Sequence, residues 1–330
     1  MSFPSSRWAR LVVVVSALVA CGSAPSTDSD SPDSAPSLGS CAVFPADHIW
    51  NTRVDELPLH PSSTAYVNTI GADSTVHPDF GAGLWEGSPI GIPYTTVNAN
   101  RPAVPVSFYY DDESDPGPYP IPPDAPVEGA PPGGTAEGGD RHVLVVDTVA
   151  CMLYELFDAE RKQDGSWRAG SGAVFDLNGY ELRPDGWTSA DAAGLPILPG
   201  LVRYDEVAAG AIAHALRFTA PSTQAAHVWP ARHDASSQTG EEYPPLGQRF
   251  RLRADFDASG FSPGARVVVE ALKRYGMILA DNGSAWFLSG TPDDRWNNDG
   301  LRDLKEIHGS DFVAVDVSSL MIDPDSARTH

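Results

Sequence analysis

Apolar residues along this chain fall in short runs or at two-residue spacing, the period of strands rather than of helices. Residues 142–147 (HVLVVD) form a near-continuous apolar run, which predicts a strand buried on both faces. Residues 151–158 (CMLYELFD) follow after a short turn and complete a hairpin pattern. Another strand is expected over 167–177, where Gly170 and Gly172 signal a bulge or a close approach of backbones. Residues 104–110, 216–219, 227–229 and 312–317 supply further strand candidates. Over 248–256 the pattern alternates. Phe250, Leu252, Ala254 and Phe256 lie on one side, and Arg249, Arg251, Arg253 and Asp255 on the other. Residues 277–280 and 284–288 flank Asp281-Asn282-Gly283, which reads as a hairpin tip.

Helical periodicity appears twice, late in the chain. Ser262 stands at an N-cap with Pro263 in the first turn, and Ala265, Val268, Val269, Leu272 and Tyr275 share one face before Gly276. A second helix is expected from about Asp299 to Ile307, capped by Asn298 or Asp299, with Leu301, Leu304 and Ile307 as its apolar stripe. Residues 116–132 are too rich in proline for a helix or a central strand and predict a covering loop. The expected fold is a β-rich α+β domain, a β-sandwich or stacked-sheet arrangement with two helices near the C-terminus.

The amino terminus is patterned differently. Arg7 and Arg10 precede the apolar run LVVVVSALVA over 11–20. About 20 apolar residues are needed to span a bilayer, so this run is too short for a stable anchor and fits a signal-peptide core over 1–20. Leu18-Val19-Ala20-Cys21 resembles the lipobox of bacterial lipoproteins. That resemblance implies cleavage before Cys21, lipidation of its thiol and a membrane attachment through the lipid. With Gly22 next, it implies the outer membrane in a Gram-negative cell, or the outer face of the cell membrane in a Gram-positive one. Residues 21–40 offer little beyond Leu38 to bury, which predicts a disordered linker ahead of a single globular domain over 41–330.

Charge and cysteine content narrow the partners. Asp and Glu outnumber Lys and Arg by 44 to 22, and a formal charge of −22 repels phosphate backbones, so nucleic acid is excluded as an expected partner. With Cys21 committed to lipid, Cys41 and Cys151 remain for a disulfide in an oxidising compartment.

No short catalytic motif is present: there is no G-x-S-x-G, H-E-x-x-H, P-loop or dinucleotide fingerprint. The string Arg295-Trp296-Asn297-Asn298-Asp299-Gly300 puts an arginine at the first calcium-ligand position of an EF-hand, so it reads as a helix cap. No metal and no cofactor are expected. Polar clusters at strand ends are the candidates. Asp140 and His142, before the buried strand, together with Asp191 and His233, are the candidate catalytic groups. Trp187, Trp229, Arg232, Asp281, Asn282 and Trp286 are the candidate substrate contacts, since indole faces and guanidinium forks suit sugars. Each cluster also has a purely structural explanation: a strand-entry pair at Asp140-Arg141, an Ω-loop over 185–194, a core tryptophan at Trp229, turn chemistry at Asp281-Asn282. Further carboxylates, among them Glu113 and Glu155, make an acid/base pair available.

The stretches GDRHVLVVD, SGAVFDL, GWTSADAAGLPILPGLVRYDEV, VWPARH and KRYGMILADNGSAWFLSG resemble a group of uncharacterised secreted bacterial proteins. That resemblance implies one cooperative unit and carries over no activity. Export, strand content, tryptophans and acids together point to a carbohydrate-active enzyme, a glycoside hydrolase or lyase, acting on a neutral polysaccharide or cell-wall glycan. The alternative is a non-catalytic lipoprotein that binds a glycan or a protein.

Overall fold

Two sheets carry the fold. The computed structural model describes residues 36–98 and 100–330, so the expected leader, Cys21 and most of the expected linker lie outside the described residues. The larger sheet has six strands in the order Phe312–Ala314, Arg249–Leu252, Met277–Asn282, Leu216–Ala220, Phe287–Ser289 and His77–Asp79. The second has four, in the order Ser171–Asp176, Met152–Phe157, Val143–Asp147 and Tyr94–Val97. With smaller sheets and four α-helices among the described residues, this is the β-rich α+β class the periodicity predicts.

The strand Val143–Asp147 is buried at every position, as its unbroken apolar run demands. Alternate side chains point to opposite faces. Leu144 and Val146 enter the main core with Leu216, Phe218 and Leu279, and Val143 and Val145 enter a second core with Tyr119, Ile121 and Trp167. Each such side chain contributes roughly 1.5–3 kcal/mol relative to exposure. Tyr119 and Ile121 belong to the proline-rich segment, which covers this outer face. The expected hairpin is present, with Val143–Asp147 antiparallel to Met152–Phe157. Cys41 and Cys151 form the expected disulfide.

Several expectations are corrected. Part of the expected linker, residues 36–40, is structured. Ser37–Leu38 pairs with Cys41–Ala42, because Leu38, the linker's one large aliphatic residue, packs on the core. The strand expected over 167–177 divides at Gly170 into Trp167–Ala169 and Ser171–Asp176. Close packing explains both glycines: a Cβ on Gly170 would lie 2.7 Å from Phe157, and one on Gly172 would lie 2.4 Å from Phe108. Residues 227–229 make only an isolated bridge, His227 to Leu246.

The helix Pro263–Arg274 buries the predicted face, with Ser262 donating to the Gly300 carbonyl instead of capping. The second helix is shorter than predicted: Asn298–Leu301 is α and Arg302–Glu306 tightens to 3-10. Its cap is Asn297, whose side chain accepts from the Gly300 amide at 3.2 Å. Arg249, on the charged side of the 248–256 alternation, is buried. Its guanidinium donates to the carbonyls of Tyr275, Ile49 and Thr52, and burial holds its pKa down to about 9.

The hairpin expected around Asp281-Asn282-Gly283 does not form. Leu216–Ala220 inserts between the two arms, parallel to Met277–Asn282 and antiparallel to Phe287–Ser289. Asp281 and Asn282 therefore end an interior strand of the six-stranded sheet. Pairing slips by one residue after Phe218, so that Thr219 faces Asp281 and Ala280 is the extra residue. A single slip moves side chains to the opposite face. Here it brings Asp281 onto the face of Arg217.

Candidate functional site

A cavity of about 360 Å³, within the size range of small-ligand sites, opens where the two sheets meet the loop over 185–194. Asp140, Asp191, His233, Asp281 and Asn282 line it, together with Tyr110, Glu113, Phe157, Ser171 and Thr188. Five residues singled out on four separate stretches of sequence thus converge on one cleft.

The loop joins both sheets. Toward the four-stranded sheet, Ser171 Oγ donates to the Ser189 carbonyl at 2.6 Å, and His142 Nε2 donates to the Ala190 carbonyl at 3.0 Å. The amides of Ile197 and Leu198 reach the Glu155 carboxyl at 2.9 Å each. Toward the six-stranded sheet, the Ala193 amide donates to the Ala280 carbonyl at 2.9 Å, so the extra residue of the slipped strand is also the loop's anchor. Gly194 closes the loop at φ +68°, and a Cβ there would lie 2.5 Å from the Trp187 carbonyl.

Beneath the cleft lies a buried set of charges. Arg217 donates to both oxygens of Asp191, at 2.7 and 2.8 Å, to Ser289 Oγ at 2.7 Å, and to Asp281 at 3.3 Å. Burial, reinforced by the nearby negative charge of Asp191, pushes the Asp281 carboxyl up to about 7 although Arg217 opposes it. Burial likewise raises Glu155 to about 7 against its two amide donors, with Asp191 adding to the rise. His142 is fully buried, which favours its neutral form, yet the Glu128 charge and hydrogen bond prevail and raise it to about 9. Geometry agrees: its ring nitrogens face the Glu128 carboxylate at 2.5 Å and the Ala190 carbonyl, both acceptors, so both nitrogens carry protons.

At the cavity wall His233 Nδ1 donates to the Ala192 carbonyl at 2.8 Å, and no hydrogen bond among the described residues engages Nε2. Glu113 accepts from the Thr188 amide at 3.2 Å. The Asp140 carboxylate makes no hydrogen bond among the described residues, because Arg141, its expected partner, pairs with Asp158 instead.

The other candidates lie elsewhere. His142 supports the loop from below and does not line the cleft. Arg232 is buried in structural bonds to the carbonyls of Arg183 and Pro324 and to Asp325. Trp286 is in the core, stacked between Phe218 and Phe312, with its indole nitrogen on the Gly71 carbonyl. Trp229 is half-buried and donates to the Ser326 carbonyl. Trp187 is half-buried under the Arg183 guanidinium and is not among the lining residues. A substrate contact through indole rings is therefore not what this cleft offers; its aromatic groups are Tyr110 and Phe157.

Arg217 and Glu128 were missed in the sequence, although an arginine inside LRFTA marks a charge in an otherwise apolar strand that must find a partner. A second cavity, of about 240 Å³ beside Trp296 and Pro263, has Arg295 as its ionisable group besides Tyr204, and that arginine is paired with Asp205 and Asp293. Among the described residues no group of His, Cys, Asp or Glu is placed to hold a metal ion, and no helix is long and apolar enough to cross a membrane.

Comparison of the chain with protein-family models, with curated proteins and with solved structures finds no match in any of the three.

Proposed function

We propose that this protein is a glycoside hydrolase carried outside the cytoplasm on a lipid at Cys21, cutting a neutral polysaccharide or cell-wall glycan in the cleft between its sheets. One observation carries the reading: Asp281, a carboxyl raised to about 7, shares a cavity with Asp140, whose side chain makes no hydrogen bond among the described residues. Hydrolysis of a glycosidic bond needs such an unequal pair.

In this scheme protonated Asp281 gives its proton to the glycosidic oxygen as the bond from that oxygen to the anomeric carbon breaks. Asp140 takes a proton from water, whose oxygen bonds to the anomeric carbon. One carboxyl loses a proton and the other gains one, and solvent restores both. His233 Nε2 accepts a hydrogen bond from a sugar hydroxyl, and Asn282 holds another. The lining residues include no Lys or Arg to neutralise a substrate carboxylate, which favours hydrolysis of a neutral glycan over elimination from an acidic one.

The test is release of reducing ends from a panel of neutral polysaccharides. Turnover that persists with chelator, and is lost in Asp281→Asn and Asp140→Asn variants that still fold, supports the hydrolase. Retention on the same polysaccharides without turnover replaces it with a glycan-binding protein. The anchor is tested separately by mass spectrometry of the protein from its native membrane. An acylated amino-terminal Cys21 is expected; a chain that still starts at Met1 rejects it.

A further inference from the structure

We propose that Tyr109 and Tyr110 form a stacking platform at the mouth of the cleft. The substrate would then be an extended chain whose sugar units continue past the reacting bond onto these rings. The inference rests on the glycan reading of the cleft and specifies the length of ligand that the cleft takes.

Tyr109 is 79% exposed and Tyr110 46%. Tyr110 is also a wall of the cavity, so the platform is continuous with it. The two rings meet edge to face, with centroids 4.8 Å apart. Such a contact covers at most one face of the Tyr109 ring, so the other is left to solvent. An exposed aromatic side chain on a mobile loop would signify little, but this backbone is pinned. The Tyr109 amide donates to the carbonyls of Ala169 and Gly170 at 3.0 and 3.1 Å, and the Tyr110 amide donates to Gly170 at 2.9 Å. The Tyr110 carbonyl in turn accepts Ser114 Oγ at 2.6 Å. Gly170 is the residue at which the predicted strand divides, so the break that ends Trp167–Ala169 supplies the acceptor that fixes the platform.

A fixed ring with an open face presents a large apolar surface at low ordering cost, which suits the C–H face of a pyranose. The exposed acids Asp111 and Asp112 follow directly and can accept from its hydroxyls. No lysine or arginine lies on this turn, as expected for a neutral chain.

The experiment uses the folded protein and β-linked gluco- and manno-oligosaccharides from disaccharide to hexasaccharide. Both kcat/KM by reducing-end release and Kd by calorimetry are measured. For the wild type, kcat/KM and affinity rise with chain length. In Tyr109→Ala the gain between disaccharide and hexasaccharide shrinks about tenfold, mainly in KM and Kd, whereas Tyr109→Phe retains it because stacking needs the ring and not the hydroxyl. If the wild type cuts these sugars and Tyr109→Ala keeps the full gain, the platform is rejected and the hydrolase stands. If the wild type binds without cutting, the hydrolase falls and the Kd series still decides the platform. If no sugar is bound or cut, both are rejected.

Discussion

Arg217 and Asp191 face each other as a two-pronged buried pair, Nε on one carboxylate oxygen at 2.7 Å and Nη2 on the other at 2.8 Å. The same Nη2 also touches Asp281 at 3.3 Å. Asp191 is thereby fully engaged, which leaves Asp281 as the carboxyl that changes charge. Removing one partner of a buried ion pair leaves an uncompensated charge, so Asp191→Asn is expected to lower stability by about 3–5 kcal/mol. It also removes the negative charge that helps raise Asp281. The acidic carboxyl should then titrate at lower pH. Urea denaturation and a pH–rate profile check the two effects, and an unchanged profile contradicts the coupling.

Under the proposed mechanism, Asp281→Asn should reduce hydrolysis by at least about 100-fold, in line with loss of a general acid. Its stability has a defined sign. The folded carboxyl binds its proton near pH 7, against an ordinary value of 3.8. The native state therefore gains stability below the ordinary value and loses it as pH rises through 7. The asparagine variant should lose less stability than the wild type between pH 4 and 8. The difference is on the order of 1–3 kcal/mol after allowance for partial exposure. Parallel stability curves for the two proteins would contradict the assignment.

His142 should be an imidazolium at neutral pH. Its folded value of about 9 exceeds the ordinary 6.5, so its stabilisation is complete below 6.5 and disappears as pH rises through 9. Nuclear magnetic resonance of the ring tests this directly. In Glu128→Gln, burial is left without its counter-charge and the titration should fall below the ordinary value. A His142 that titrates near 6.5 in both proteins would refute the pairing.

Reduction of the Cys41–Cys151 bond opens a loop of sequence separation 110. The expected loss is roughly 2–5 kcal/mol, seen as a lower melting temperature in reductant and in the double Cys→Ser variant. Equal melting temperatures with and without reductant would show that the bridge adds nothing.

Gly194→Ala should destabilise the protein by about 1–3 kcal/mol, since the position needs a left-handed backbone and its Cβ would lie 2.5 Å from the Trp187 carbonyl. The loop it closes forms one wall of the cleft, so ligand affinity should fall with it. A variant of wild-type stability would remove the close approach from the account.

How much of this was legible in the sequence depends on the kind of signal. The strand over 142–147 and the helix after Ser262 are written in local periodicity and appear as read, within a residue or two. The cluster residues Asp140, Asp191, His233 and Asp281 were legible as polar groups at the ends of apolar runs, though not as neighbours. Their meeting is tertiary: it depends on Leu216–Ala220 inserting between two strands that look like a hairpin, an event with no local trace. The Asp-Asn-Gly turn signal is real, but a parallel partner outcompetes it. Tryptophans misled because an indole signals burial as often as binding, and Trp286 sits deep in the core. Tyr109 went unnoticed because nothing in its neighbours on the chain tells an exposed ring from a packed one.

The sulfur bridge also decides how the body bears tension. A pull from the amino-terminal side first meets the pairing of Ser37–Leu38 with Cys41–Ala42, two rungs that can unzip one after the other. At Cys41 the load leaves the backbone path and passes covalently to Cys151, directly before the strand Met152–Phe157, which is hydrogen-bonded on both edges. A pull taken along this covalent route bypasses the enclosed residues 42–150, so the part of the cleft wall they supply, Tyr110, Glu113 and Asp140, stays off the load path.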